Sequence, residues 1–396
     1  MRVATLSIIA SATLVAGGYK IPENSVNATA LCAAYVANAH GADAAYYNPA
    51  AMVYNDDVGF FEADATYIGL PPIDFSGVSG EYSSKRENYL IPTLHYASGK
   101  LGNSSARVGL SVVIPAGLSK RWDDIVPRST AQEFTLRTIE INPSVAFALS
   151  DTVSFGVGFR VLSSEGVVKS TAAVSRDMEG SSVDYGYNLA LMYKPSSAWK
   201  LAATYRSNID LTLEGDAKLY VGAPIGTPVY NGDVSVTIPL PAALNLAAAY
   251  TFGSGTTVEA VYERTFWSKY KQLDFNYPVS IAPLTPYFDD PKAKNWENSN
   301  SYRFGVTHTM DAWTWMGGLE YDETPVPADT LGYELPDSDA WVVSLGGRYQ
   351  IDSQWNVGLS GLFDVKKSRD VANSSINGEF SNARVYLVTA GVEYRF

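Results

Sequence analysis

Cysteine is nearly missing from this 396-residue chain. Cys32 stands alone, so no internal disulfide staples the fold, and a lone thiol of this kind is ordinarily a small packing residue. Histidine is as scarce: His40, His95 and His308 lie too far apart in sequence to match a metal-ligand spacing. Charged residues make up only 18%, and the net charge of −12 argues against a nucleic-acid partner. No apolar run reaches the roughly 18 residues of a helical membrane span, and mean hydropathy is close to zero. Catalytic signatures are missing too. Gly156-x-Gly158 sits inside a strand pattern rather than a phosphate loop. No Ser/His/Asp signature stands out. Asp123-Asp124 and Asp289-Asp290 read as solvated loop charge rather than a calcium site. No enzyme activity, cofactor or metal is expected.

Tyrosine (26) and glycine (32), by contrast, are abundant. A sheet with one face in lipid, one in water and aromatics at its rims needs that mixture, and one large barrel accommodates this length. The N-terminus reads as an export signal. Met1-Arg2 gives a positive start, Val3 to Val15 an apolar core, and cleavage falls within Ala16–Gly18. The domain reading is a signal peptide at 1–17, an N-terminal hatch at 18–57 and a transmembrane barrel at 58–396. The hatch region has no period-two pattern. Asn24 or Ser25 can cap a short helix through Ala28, Leu31, Cys32, Tyr35 and Val36, with Gly41 ending it. So small a piece has no core of its own, and the barrel lumen is the available host. The stretch Gly41–Met52 joins it to the sheet, with Asn48-Pro49 holding the chain extended or turned.

From Val58 onward apolar and polar residues alternate, as in Val153, Phe155, Val157, Phe159 and Val161 against Ser154, Gly156, Gly158 and Arg160. A soluble sandwich would also alternate. Strands of about 10 residues and aromatics at strand ends (Tyr46-Tyr47, Trp313/Trp315, Tyr394/Phe396) favour a membrane barrel. About 14 strands are counted, starting near Val58, Asn88, Arg107, Phe134, Thr152, Val183, Trp199, Val234, Thr256, Ser301, Ala312, Ala340, Trp355 and Arg384. Long polar connections are expected at 118–133, 169–182, 214–232, 277–298, 325–338 and 368–381, with short turns between. The predicted fold is all-β: a 14-stranded antiparallel transmembrane barrel with a hatch in its lumen, placed in a Gram-negative outer membrane.

Two features bear on function. The third strand runs from Arg107 into Pro115-Ala116-Gly117. Pro removes a ladder donor and Gly permits a kink, so either the wall gains a gap there or the strand simply ends in a loop. A gap suits apolar cargo, since a 16-carbon tail costs on the order of 12 kcal/mol to return to water. The last strand places Tyr386, Val388, Ala390, Val392, Tyr394 and the terminal Phe396 on one face, resembling the mark read by the bacterial barrel-assembly machinery. Among the polar-face charges Arg160, Arg206, Arg303, Arg348, Arg395, Glu259, Glu263, Glu320 and Glu393, Arg160 is the candidate contact for a ligand carboxylate. For any single Arg, a ladder of ion pairs tying barrel to plug is the favoured reading.

Gly18-Tyr19-Lys20-Ile21-Pro22-Glu23-Asn24-Ser25, Asp43-Ala44-Ala45 with Asn48-Pro49-Ala50, Pro115-Ala116-Gly117-Leu118, Ile238-Pro239-Leu240-Pro241, Phe266-Trp267-Ser268-Lys269-Tyr270 and Tyr321–Pro327 with Leu335-Pro336-Asp337 follow one another in order. Together they resemble the FadL/TodX outer-membrane transporters of long-chain fatty acids and aromatic hydrocarbons. The resemblance implies a ligand site in the lumen and passive lateral exit at the kink of the third strand, Pro115 and Gly117. It would place Asn48, Pro49 and Ala50 on the hatch facing that kink. Its partners would be a hydrophobic small molecule, outer-membrane lipid and lipopolysaccharide, and the assembly machinery through Phe396, with the chain a monomer. Two departures stand out. Family members often carry Gly-Leu-Gly-Arg-Ala where this chain has Ala30-Leu31-Cys32-Ala33-Ala34. The connection 169–182 is also shorter than the family's large loop. A general diffusion porin and an outer-membrane lipid hydrolase are the competing readings.

Overall fold

A computed structural model of the chain describes residues 17–396; the expected export signal lies, apart from Gly17, outside the described residues. The alternating pattern settles which solvent surrounds the sheet. In Ala340–Gln350 the apolar parity is the exposed one, with Trp341 at 50%, Val343 at 50% and Leu345 at 75%. The buried parity carries the charges, among them Glu62, Arg160, Glu263, Arg303, Glu320 and Arg348. A soluble sandwich would have the reverse arrangement. Apolar-out and polar-in is stable only where lipid is the outer solvent.

The strands are Phe60–Leu70 (β1), Glu87–Ala97 (β2), Arg107–Val113 with Gly117–Arg121 (β3), Glu133–Ala148 (β4), Val153–Ser170 (β5) and Val174–Tyr193 (β6). They continue as Trp199–Arg206 with Ile209–Val221 (β7), Tyr230–Leu240 with Ala243–Thr251 (β8), Thr256–Thr265 (β9) and Ser299–Met310 (β10). Trp313–Asp322 (β11), Ala340–Gln350 (β12), Trp355–Lys366 (β13) and Arg384–Arg395 (β14) complete a closed 14-stranded antiparallel barrel. Closure joins β1 to β14, with Phe60 opposite Arg395, and Gly59 and Phe396 exchange backbone hydrogen bonds at 2.8 and 3.0 Å.

Two aromatic belts mark the membrane. Trp313, Trp315, Tyr349, Trp355, Tyr394 and Phe396 cluster at the short-turn end. Tyr67 with Tyr386, Tyr262 with Tyr302, and Tyr321 with Trp341 lie toward the long-loop end. Trp313 and Tyr321 sit on one strand, about 27 Å apart at roughly 3.4 Å per residue, close to the height of an apolar band. Tyr46 and Tyr47, expected in such a belt, are instead inside the barrel. Nor is 169–182 a polar loop: β5 and β6 run on as a hairpin around a turn at 171–173, and β7 and β8 extend in the same way. Short strands Asp74–Gly77, Gly80–Ser83, Arg369–Ala372 and Asn377–Ser381 form a small sheet at the long-loop end.

The N-terminal segment fills the lumen. Helix α1, Val26–Ala30, is capped by Ser25, whose hydroxyl accepts from the Ala28 amide at 3.2 Å. It is shorter than expected and stops at Ala30 because Cys32 and Ala33 adopt left-handed backbones, φ 47° and 55°. That turn presents the amides of Val36, Ala37 and Asn38 to Glu259, at 2.8, 2.6 and 3.2 Å. Helix α2, Ala44–Tyr47, and a 3-10 turn, Pro49–Tyr54, follow. Contact with the wall is close on opposite sides. A Cβ at Gly318 of β11 would lie 2.3 Å from the Leu31 carbonyl carbon, and one at Gly156 of β5 2.6 Å from the Ala50 amide.

Candidate functional site

The wall is broken where Pro115 interrupts β3. The strand resumes at Gly117, and both pieces pair with β4. On the other side, β2 pairs with β3 only over Leu94–Ala97 against Gly109–Val112. Above that point the two strands share no ladder. The upper end is held by the Lys85 amide donating to the Arg121 carbonyl at 2.9 Å. A cluster of Glu87, Tyr89, Ser119 and Arg121 bridges there as well.

Backbone from the N-terminal segment occupies this break. Lys20 forms a lone antiparallel bridge with Ala116. The Ile21 amide donates to the Pro115 carbonyl and the Gly117 amide to the Tyr19 carbonyl, both at 2.9 Å. The Ile114 amide, which has no ladder partner, donates to Asn24 Oδ1 at 2.9 Å. The Asn24 carbonyl meets His95 Nε2 at 2.9 Å. Ile21 packs with Ile91 and Ile114 on the two sides of the gap. The residues at the kink are therefore Tyr19–Asn24. Asn48, Pro49 and Ala50, expected to face it, lie against β5: Ser154 donates to the Ala50 carbonyl at 2.8 Å, and Asn48 donates to the Val36 carbonyl at 2.8 Å.

A cavity with about 780 Å³ of atom-free space adjoins the break. Lys20, Ile21, Pro22, Ala33, Val36, Tyr46, Tyr47 and Pro49 line it from the N-terminal segment, and Pro115, Leu189, Tyr205, Leu240 and Pro241 from the wall. Its charged lining falls into two groups. Arg160 donates to Glu140 Oε2 from Nε and Nη2 at 3.1 and 2.9 Å, and from Nη1 to the Ser207 carbonyl at 2.7 Å. Arg206 pairs with the other oxygen of Glu140 and lies over the Tyr46 ring, 4.2 Å from its centroid. Two guanidinium groups thus share one carboxylate. In the second group Lys20 and Arg303 share Glu263, and Arg303 also holds Glu320 at 2.8 Å. The first group carries one uncompensated positive charge and the second is balanced. Arg160, the residue expected at a ligand carboxylate, is fully engaged with Glu140 and Ser207; Arg206 is the more open guanidinium. Lys20, Tyr46, Leu189, Tyr205 and Leu240 were not singled out as site residues in the sequence. Of these only Lys20, flanked by the apolar Tyr19 and Ile21, had a visible signal.

A second, smaller pocket lies beyond Tyr19, lined by Leu118, Phe134, Leu136, Ile238, Tyr270, Trp296 and Leu335. The Lys294–Glu334 ion pair also borders it. Tyr19 closes the space between the cavities: its ring stands 4.7 Å from Trp267 and 5.6 Å from Trp296, and its hydroxyl donates to the Pro239 carbonyl.

Comparison with known proteins agrees with this architecture. Residues 6–396 match the family described as outer membrane protein transport protein (OMPP1/FadL/TodX). A long-chain fatty acid transport protein of Escherichia coli O6:H1 is 23% identical, over 88% of this chain and 87% of its own. Outer membrane protein P1 of Haemophilus influenzae is 22% identical, over 89% and 88%. The crystal structure of a Pseudomonas aeruginosa FadL homologue superposes with a TM-score of 0.84 at 17% identity, covering 96% of this chain and 99% of that one. The P. putida toluene transporter TodX superposes at 0.69 and 16%, covering 94% and 98%. These likenesses carry the fold; the match along almost the entire sequence carries the family. The chain is an outer-membrane protein and belongs to the OMPP1/FadL/TodX family of outer-membrane transport proteins.

Proposed function

We propose that the protein takes up amphipathic molecules with a long apolar tail and one anionic head, long-chain fatty acids, by passive diffusion. The ligand enters from the long-loop side, rests in the larger cavity and leaves sideways through the β3 break when Tyr19–Asn24 shifts. Residues 18–57 then act as the hatch, and Pro115 and Gly117 as the exit. One observation carries the choice of a carboxylate over an aromatic hydrocarbon: the Arg160–Glu140–Arg206 group leaves one positive charge beside a cavity whose other charged group, Lys20 and Arg303 with Glu263 and Glu320, is balanced, which complements a single carboxylate. The fatty acid named for the E. coli relative points the same way. The plugged lumen speaks against a diffusion porin.

Three hydrogen bonds hold the segment to the broken strand. At roughly 0.5–1.5 kcal/mol net each, displacing it costs about 1.5–4.5 kcal/mol. Burial of a few methylenes, at about 0.8 kcal/mol apiece, offsets that. The test is uptake of radiolabelled palmitate and of toluene by transporter-deleted cells carrying the intact protein, an Arg206→Gln variant, or one with Pro115 and Gly117 both changed to Val. Palmitate uptake by the intact protein, lost in the double variant and reduced by Arg206→Gln, is the expected result. Toluene uptake without palmitate uptake would overturn the ligand class, and unchanged palmitate uptake in the double variant would overturn the exit.

A further inference from the structure

Both banks of the break carry a proline. Pro115 interrupts β3, and Pro92 lies within β2. Carried two residues past Leu94 and Val112, the ladder between the strands would set Pro92 against Ile114. Pro92 has no amide to donate there, so β2 cannot extend the ladder from its own side either. Its pairing with β1 is nevertheless unbroken, Pro92 standing opposite Ala65. The missing donor therefore points into the break and not toward β1. The Ile114 amide turns to Asn24 instead. Among the described residues, Leu90–Thr93 make no hydrogen bond to β3.

Two strands tied at one end only would splay like a fork. These are tied at both. Below, the ladder holds Leu94–Ala97 to Gly109–Val112. Above, the tie is made by charge. Glu87 is buried, and its Oε2 accepts from Arg121 and Ser119 across the break and from Tyr89 on its own strand. Arg121 also donates from Nη2 to Glu133 at 2.7 Å, its partner in register on β4, so three strands meet in one cluster. Lys120, buried on β3, adds a second cation beside Glu87. Such a pair is costly to part, since Glu87 would stay behind as a buried carboxylate without its guanidinium. From Tyr89 to Leu94 the opening spans about 17 Å along β2, at roughly 3.4 Å per residue.

We infer that Glu87 and Arg121 are a clasp that fixes the upper edge of the lateral opening and so determines how bulky a molecule can leave through it. The inference rests on the exit at the β3 break proposed above and deepens it. With both ends tied, β2 and β3 can part only by bowing, which suits an alkyl chain sliding past Ile91, Pro92 and Ile114. A broad ring system needs the banks further apart. Releasing the clasp turns the window into a fork and removes that limit.

The test uses the full-length protein in transporter-deleted cells. Palmitate is the slim probe. Pyrenedodecanoate, with the same carboxylate head on a chain that ends in a fused-ring system, is the bulky one. The readout is the ratio of their uptake rates. Glu87→Gln cuts the clasp by removing its charge, and Glu87→Asp by drawing the carboxylate back one methylene. Each should raise the ratio of pyrenedodecanoate to palmitate about fivefold, the worth of exchanging a charge-assisted hydrogen bond for a neutral one. Glu133→Gln frees Arg121 from β4 but leaves the clasp across the break, and should move the ratio by less than about twofold. A heat-modifiable shift on gels confirms the folded barrel in each variant. A ratio not raised in either Glu87 variant, or raised equally by Glu133→Gln, overturns the clasp. Uptake of neither probe by the parent protein would sink the transport reading itself. The clasp is then judged on purified protein. The Lys85 amide, which donates to the Arg121 carbonyl at 2.9 Å, should exchange at least about fivefold faster in Glu87→Gln while the amides of Gly109–Val112 keep their protection. Unchanged exchange at Lys85 overturns it.

Discussion

A covalent bond across the β3 break would test whether the segment Tyr19–Asn24 must move. Lys20 and Ala116 are the natural pair. The hydrogen bonds flanking them, Ile21 to Pro115 and Gly117 to Tyr19, make them a non-hydrogen-bonded antiparallel pair, with Cα atoms expected about 4.5 Å apart, inside the range disulfides tolerate. The native thiol, Cys32, is buried and donates to Ser344 Oγ at 3.0 Å, so a Cys32→Ala background leaves only the introduced pair. Three hydrogen bonds worth about 1.5–4.5 kcal/mol together leave the segment open between roughly one part in ten and one part in two thousand of the time. A disulfide removes that open fraction altogether. Palmitate uptake by the oxidised Lys20→Cys/Ala116→Cys protein should therefore fall at least tenfold and return on reduction. Lys20→Cys alone reports the cost of breaking the Glu263 ion pair. Full uptake by protein shown by mass spectrometry to be cross-linked would refute the reasoning: ligand would then leave with this segment fixed.

Two further results are expected. Glu259 holds three successive amides of the N-terminal segment, so Glu259→Gln should weaken that anchor by about 1 kcal/mol per bond, the difference between a charge-assisted and a neutral hydrogen bond; faster amide exchange at residues 36–38 would be its sign, and unchanged exchange would remove Glu259 from the anchoring role. The second concerns pH. Burial pushes the Glu23 carboxyl up to about 7, against the pull of Arg303, and its oxygens find no hydrogen-bond partner in another residue. Burial likewise lifts Asp43 to about 6, although Tyr35 and Asn27 donate to it at 3.0 and 3.1 Å. Raised carboxyl values mean that the folded N-terminal segment binds these protons more tightly than the unfolded chain does. Its stability is then fullest below about pH 4 as far as these two groups decide it, and declines as pH rises to about 7. The amides of the N-terminal segment, after correction for intrinsic pH dependence of exchange, should be better protected at pH 5 than at pH 8; equal protection would mean that neither group titrates in that window.

Much of the barrel was legible because lipid writes a strict rule into the strands that touch it. Most of the fourteen starts fall within a residue or two of the observed ones. The larger misses are β6, expected at Val183 and starting at Val174, and β8, expected at Val234 and starting at Tyr230. Both misses lie where strands stand beyond the outer aromatic belt. With water on the outer face, Glu179 and Ser181 replace apolar residues there, and the pattern looks like a loop while the ladder continues. The site was less legible, for a different reason. Pro115 announces that a ladder must fail, but not which distant backbone will repair it; the repair comes from Tyr19–Asn24, some ninety residues away, through main-chain groups that leave no mark on residue type. Asn48-Pro49-Ala50 was expected to face the kink because of the family resemblance; Pro49 lines the cavity beside the break together with Pro115, while the turn packs against Gly156. Arg160 could be read from sequence as a ligand contact or as a rung of an ion-pair ladder, but not with its partner named: Glu140 reaches it from the neighbouring strand across a register that only the fold defines. What was readable was the demand: a broken ladder and buried charges need partners, and here the partners of the broken ladder are main-chain groups of Tyr19–Asn24 and the Asn24 side chain.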